Sequence, residues 1–242
     1  MKHFTTAAVL ILALQTPALQ AQSACNSDGT APPPALFERF ISADCAQCWS
    51  DAATPQPGES AAVLDWIVPS AAGDEAALSA AARRDALERL GTLQRALPQP
   101  SDIYVSARTH QLPGRFRVAL GPAVNDYVSA LVSYAGPAPL KGQTGKEGLS
   151  IWLALVESIP AGVENSAVPR NLVRGLFRTQ WQQRNQLGKH ERTNLARDTR
   201  WINRVSMQLP YGAAADRLSL VAWAQTGDGE VVGIARAACA TP

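Results

Sequence analysis

The chain of 242 residues is poor in charge, in histidine and in long apolar runs. No run approaches the roughly 20 apolar residues of a spanning helix, so no transmembrane segment is expected. Charged residues make up 17% of the chain and the net charge is +2, which gives no global reason to bind a polyanion. The 46% hydrophobic content excludes a disordered or fibrous chain. No G-x-S-x-G, H-E-x-x-H, Walker or dinucleotide motif is present. Neither heptads nor repeats of 20–50 residues are seen. Four cysteines are too few to build a disulfide miniprotein of this length.

What is present begins with an export signature. Lys2 and His3 precede the apolar run Ala7-Ala8-Val9-Leu10-Ile11-Leu12-Ala13-Leu14, Pro17 closes it, and small residues around Ala21 and Ser23 offer a cleavage site. This order marks residues 1–23 as a secretory signal and the mature protein as periplasmic or secreted. Lipid anchoring at Cys25 is the alternative, although Gln22-Ser23-Ala24 lacks the usual leucine. In an oxidising compartment thiols pair. Four cysteines allow three connectivities. Cys45 and Cys48 are close enough to close a local ring, which leaves Cys25 with Cys239 as a staple between the ends of the mature chain.

Hydrophobic patterning places strands at 36–41, 61–68 and 103–107, with one helix over 74–97 stopped by Pro98. From Pro113-Gly114 onward strand-like segments follow one another at 115–120, 126–134, 149–157, 172–181, 200–209, 218–225 and 230–238, with Thr226-Gly227-Asp228-Gly229 as a hairpin turn. Short strands without intervening helices suggest a sandwich or meander, so the chain is divided at about residue 112. Charge divides at a similar place. Residues 1–100 hold 6 Lys/Arg against 10 Asp/Glu, and residues 101–242 hold 16 against 10. Most of the basic excess lies in 170–204, read here as a solvated strand face and loop. Its aromatics, Phe177, Trp181 and Trp201, are too separated for a base-stacking platform, and no nucleic-acid partner is expected. The six tryptophans are read as core, except Trp49, which is expected near a surface site.

Strand followed by Cys45-Ala46-Gln47-Cys48 is the order of exchanging dithiols: a nucleophilic thiolate at Cys45 and a resolving thiol at Cys48. A zinc site would need two further ligands, and His110 and His190 lie at no ligand spacing, so no metal and no cofactor are expected. The flanks are more specific. Glu38-Arg39-Phe40-Ile41-Ser42-Ala43-Asp44-Cys45-Ala46-Gln47-Cys48 resembles the E-L-F-T-S-Q-G-C-S-S-C-P-P-A-D signature of the exported bacterial family known as domain of unknown function 1223. Glu164-Asn165-Ser166 and Arg170-Asn171-Leu172-Val173-Arg174 resemble its G-E-N-A-G and R-N-V-V-R, and 221–237 resembles its closing hairpin.

The resemblance implies an α+β chain with a thioredoxin-like N-terminal part (24–112) followed by an antiparallel, sandwich-like β part (113–242). It implies no established activity. The sequence departs from the pattern in three places. Trp49-Ser50 replaces Pro-Pro, Pro55, Pro57 and Gly58 leave no room for a helix after the cysteines, and the family's Thr-Pro-Gln is missing before the third strand. The N-terminal part is therefore read as degenerate. Two functions follow. The first is an exported binding or structural module for an unknown protein or small molecule, with Cys45–Cys48 as a local disulfide. The alternative is a periplasmic thiol–disulfide oxidoreductase with a Cys45/Cys48 dithiol.

Overall fold

The computed structural model describes residues 25–58, 60–137, 148–192, 195 and 198–237. The expected export segment therefore lies outside the described residues. Among the described residues no helix is long and apolar enough to cross a membrane.

Among the described residues eleven strands form two sheets. The smaller has four strands in the order β1 (Cys25–Asn26), β5 (Arg115–Val124), β6 (Tyr127–Ala135) and β9 (Thr199–Gln208), all antiparallel. The larger has seven, in the order β11 (Val231–Arg236), β10 (Leu218–Gln225), β7 (Leu149–Ile159), β8 (Arg170–Trp181), β3 (Ala62–Val68), β2 (Ala35–Ser42) and β4 (Ser101–Ala107). It is antiparallel except at β8–β3 and β3–β2. The sheet curls until Arg108, just beyond β4, bridges Val231 of β11.

Side-chain periodicity explains the layers. β6 reads Tyr-Val-Ser-Ala-Leu-Val-Ser-Tyr-Ala and buries alternate residues, as a strand with one wet face must. β7 is apolar almost throughout and buried on both faces. One face of the large sheet packs on the small sheet through Ile151, Leu153, Leu155, Val118, Val128 and Val132. The other carries Leu36, Phe40, Trp66, Trp152 and Trp223 and is capped by Ala86 and Leu90 of the helix α2 (Arg84–Thr92).

The expected thioredoxin-like α+β part is overturned. Among the described residues strand far exceeds helix, and the two α-helices cover only nine residues (α2) and five (α1, Ala46–Ser50). β2, β3 and β4 share one sheet with β7, β8, β10 and β11 from beyond residue 112, joined where Asp65 pairs with Leu172. The helix expected over 74–97 is also shorter. Two short 3-10 turns, Gly73–Glu75 and Ser79–Ala81, take the place of its first part. Tertiary hydrogen bonds from Leu78 N–H to Ala43 O (2.9 Å) and from Arg83 N–H to Ile67 O (3.1 Å) pin the chain on either side of the second, and Ala82 and Arg83 are extended. The helix that follows ends at Thr92, with Gln94 in the left-handed region and Arg95 N–H returning to Leu90 O, well before Pro98. Gln99–Pro100 is a cis peptide immediately before β4.

Candidate functional site

β2 carries two consecutive charged residues inside an apolar strand, and the pleat sends them to opposite faces. Glu38, with Leu36 and Phe40, faces α2. Its carboxylate accepts two hydrogen bonds from Arg89, Nε at 2.8 Å and Nη2 at 2.6 Å, and both side chains are fully buried. Arg39 faces the other way. It donates to Asp65 Oδ1 of β3 at 2.6 Å and to the carbonyl of Pro55 at 2.6 Å. The second bond organises the Pro-rich loop after α1.

β2 ends beside the cysteines. Ala43 N–H donates to Val68 O, and Cys45 N–H to Ser42 O, turning the chain out of the sheet. Cys45 and Cys48 form a disulfide with Cα atoms 5.3 Å apart. Cys45 caps α1, and its Sγ accepts the backbone N–H of Cys48 at 3.2 Å. Both cysteines are half-buried, while Ala46 and Gln47 between them are exposed. A helix of five residues therefore does fit after Cys45, contrary to the expectation from Pro55, Pro57 and Gly58. The prolines lie beyond its end at Asp51.

Trp49 is buried, at 5% exposure, rather than displayed at the surface. Its indole N–H donates to Glu164 O at 2.8 Å, across 115 residues of sequence. Glu164 and Asn165 both have positive φ (51° and 58°), and Ser166 N–H closes the turn on Val163 O. Glycine or asparagine is favoured at such positions, so a glutamate there is held by its surroundings. Its carboxylate lies 3.1 Å from Arg217 and 3.8 Å from Arg174, which also pair with the buried Glu157 at 2.8 and 2.6 Å.

Arg170 joins the two segments. Its Nε donates to Ser166 Oγ (3.1 Å), and its Nη2 donates to the carbonyls of Trp49 (2.5 Å) and Cys48 (3.1 Å). Its guanidinium lies 5.2 Å from the centroid of the Trp49 ring. Asp65 stands 3.9 Å from Arg170 Nη1 and accepts Asn171 N–H at 2.6 Å. Burial pushes the Asp65 carboxyl up, and Arg39, the Asn171 N–H and Arg170 pull it back only in part. The folded protein thus holds this proton more tightly than the unfolded chain. Between the ordinary carboxylate pKa and the raised value, stability falls as pH rises. Urea unfolding across the acid range will show this as a difference: wild type loses stability relative to Asp65→Asn as pH rises. Parallel profiles for the two proteins would refute the assignment.

The structure brings Cys45, Cys48 and Trp49 together with Glu164, Ser166 and Arg170. Two of the sequence segments that carried the family resemblance, 38–48 and 164–174, are therefore in contact. Arg39, Asp65 and Ser166 were missed as site residues, although charges inside the apolar runs 36–41 and 61–68 were a visible signal for buried pairing. The segment 170–204 is not one solvated basic face. Arg170 and Arg174 are buried, Arg178 lies over Trp152 and pairs with Glu88, and Arg204 lines a groove with Arg115 and Arg117 on the small sheet. Cys239, the expected partner of Cys25, lies outside the described residues. No family model matches the chain, and no curated protein or solved structure matches it either.

Proposed function

We propose that Cys45–Cys48 is an exchangeable disulfide and that the chain works in an oxidising compartment, as an exported thiol–disulfide exchange protein. The carrying observation is the half-buried pair on an exposed turn, with the Cys48 N–H already directed at Cys45 Sγ. That N–H stays in place after reduction and favours the thiolate at Cys45. The short α1 removes the main objection raised by the prolines. Cys45 is the sulfur that an incoming thiolate attacks, and Cys48 is the resolving thiol.

A second reading keeps the disulfide as a local staple in a binding or structural module. The grip of Arg170 and Ser166 on the carbonyl of Trp49 favours it, because that grip holds the turn still. The reduction potential separates the two. An exchanging pair will equilibrate with glutathione at roughly −120 to −270 mV, whereas a structural disulfide will lie below about −300 mV. In the reduced state, Cys48→Ser will trap a mixed disulfide at Cys45. A potential below about −300 mV with no trapped species would retire the exchange reading.

A further inference from the structure

We infer that Arg170 is the positioning residue of the Cys45–Cys48 pair: its buried guanidinium grips the backbone of the turn and supplies the counter-charge for a thiolate released at Cys48. This rests on the exchange reading above for its role in function, but the linkage is measurable on its own.

The charge inventory points there. Arg170 is fully buried, and its one direct carboxylate partner among the described residues is Asp65, 3.9 Å away. Asp65 is shared with Arg39, which holds it at 2.6 Å. Two buried guanidiniums thus share one buried carboxyl, and the other opposing charge felt by Arg170 is the exposed Asp51 at the end of α1, which makes no ion pair with it, so Arg170 has no close carboxylate of its own. Arg170 Nη1 has no hydrogen-bond partner among the described residues. The other arm, Nη2, reaches the carbonyls of Cys48 and Trp49 and the hydroxyl of Thr54 (3.3 Å). A buried cation whose only nearby buried carboxyl is shared with a second cation is costly. Opening the disulfide places an anion on the residue whose carbonyl Arg170 already holds.

The electron count is simple when a dithiol such as dithiothreitol is the reductant. One of its thiolates attacks Cys45 Sγ, an S–S bond forms between them, and the Cys45–Cys48 bond breaks with its electron pair leaving on Cys48. The reductant's second thiolate then attacks its own first sulfur and closes a ring. The pair leaves on Cys45. Two electrons have passed from the dithiol to the protein, and the two thiol protons go to the cysteines or to solvent. A leaving thiol of lower pKa departs faster, so Arg170 favours both the rate and the extent of opening.

The test is redox equilibrium of the whole chain against dithiothreitol, comparing wild type with Arg170→Gln and Arg170→Lys. Lysine keeps the charge and loses the fork, and glutamine keeps some hydrogen bonding and loses the charge. Arg170→Gln is expected to lower the equilibrium constant for reduction about tenfold, equivalent to about 30 mV more negative. Arg170→Lys is expected to stay within about twofold of wild type. Equal constants for all three would leave Arg170 as a structural clamp and overturn the inference. If neither variant folds, the pH dependence of alkylation of Cys48 in Cys45→Ser decides. Titration below the free-cysteine value of about 8.5 supports the counter-charge, and titration at or above it overturns the inference. A wild-type potential below about −300 mV would end the exchange reading, yet the ratio between variants would still be read against excess reductant, so the two failures are distinguishable.

Discussion

Truncating Glu38 to alanine is expected to cost about 3–5 kcal/mol of folding free energy, because it strips the carboxylate from a fully buried arginine. Arg89 gives Nε and Nη2 to Glu38 and Nη1 to Gln225 Oε1 at 2.9 Å. Gln225 in turn donates to Gly229 O in the β10–β11 hairpin turn. The guanidinium lies over the rings of Trp223 and Trp152, with centroids 5.0 and 5.2 Å away, and those rings stack on each other at 5.7 Å. Arg89 therefore ties α2 to β2 and β10, each one strand in from an edge of the large sheet, and its charge has no other carboxylate partner among the described residues. For a chain of this length each kcal/mol moves Tm by about 2–4 °C, so a fall of about 6–20 °C is expected in thermal unfolding. The pair itself is not required for stability in the same way. Removing both charges together, as Glu38→Leu with Arg89→Met, should restore most of the loss, because the penalty comes from leaving one ion alone. A loss under about 1 kcal/mol for Glu38→Ala would show that the Arg89 charge is solvated or paired elsewhere.

The strands were legible because their pattern is local. Alternation in 126–134 and continuous apolarity in 149–157 correspond to β6 and β7, and Thr226–Gly229 is the turn expected, with Gly229 at φ 90°. The large sheet was not legible. Nothing in residues 61–68 or 172–181 says that β3 lies parallel to β8, and reading a separate N-terminal layer failed at that point. The helix over 74–97 was shortened at its start because tertiary bonds at Leu78 and Arg83 outweigh helix propensity, while its middle, with Leu90 buried, does form α2. The cysteine pair was legible as a local disulfide, but its surroundings were not. Arg170 reaches Cys48 across 122 residues, and only its placement shows that it is a buried clamp rather than one more residue in a basic stretch.

Replacing Trp201 by alanine is expected to cost about 3–5 kcal/mol, the range for losing a buried large aromatic. Trp201 stands on β9 of the small sheet, and Trp181 on β8 of the large one. Their rings stack at 5.8 Å and 7°. Phe116 meets Trp181 edge-on at 5.9 Å, and Tyr134 lies 6.1 Å from Trp201, so four rings join the two sheets. The indole N–H of Trp201 is satisfied by Gln182 O at 3.1 Å and Asn185 Oδ1 at 3.2 Å, which also holds the chain between the sheets. Trp201→Phe should keep most of the stack and lose the polar tip, costing less than the alanine variant. The deletion lies in a different core cluster from Glu38 and Arg89 and shares no hydrogen-bond partner with them. The losses from Glu38→Ala and Trp201→Ala should therefore add to within about 0.5 kcal/mol. If the sheets unfolded independently, Trp201→Ala would split urea unfolding into two steps seen at different midpoints by fluorescence and circular dichroism. One cooperative transition at a lower midpoint is expected instead, because the face of β7 that carries Ile151, Leu153 and Leu155 is packed on the small sheet, and water would reach it if the sheets parted.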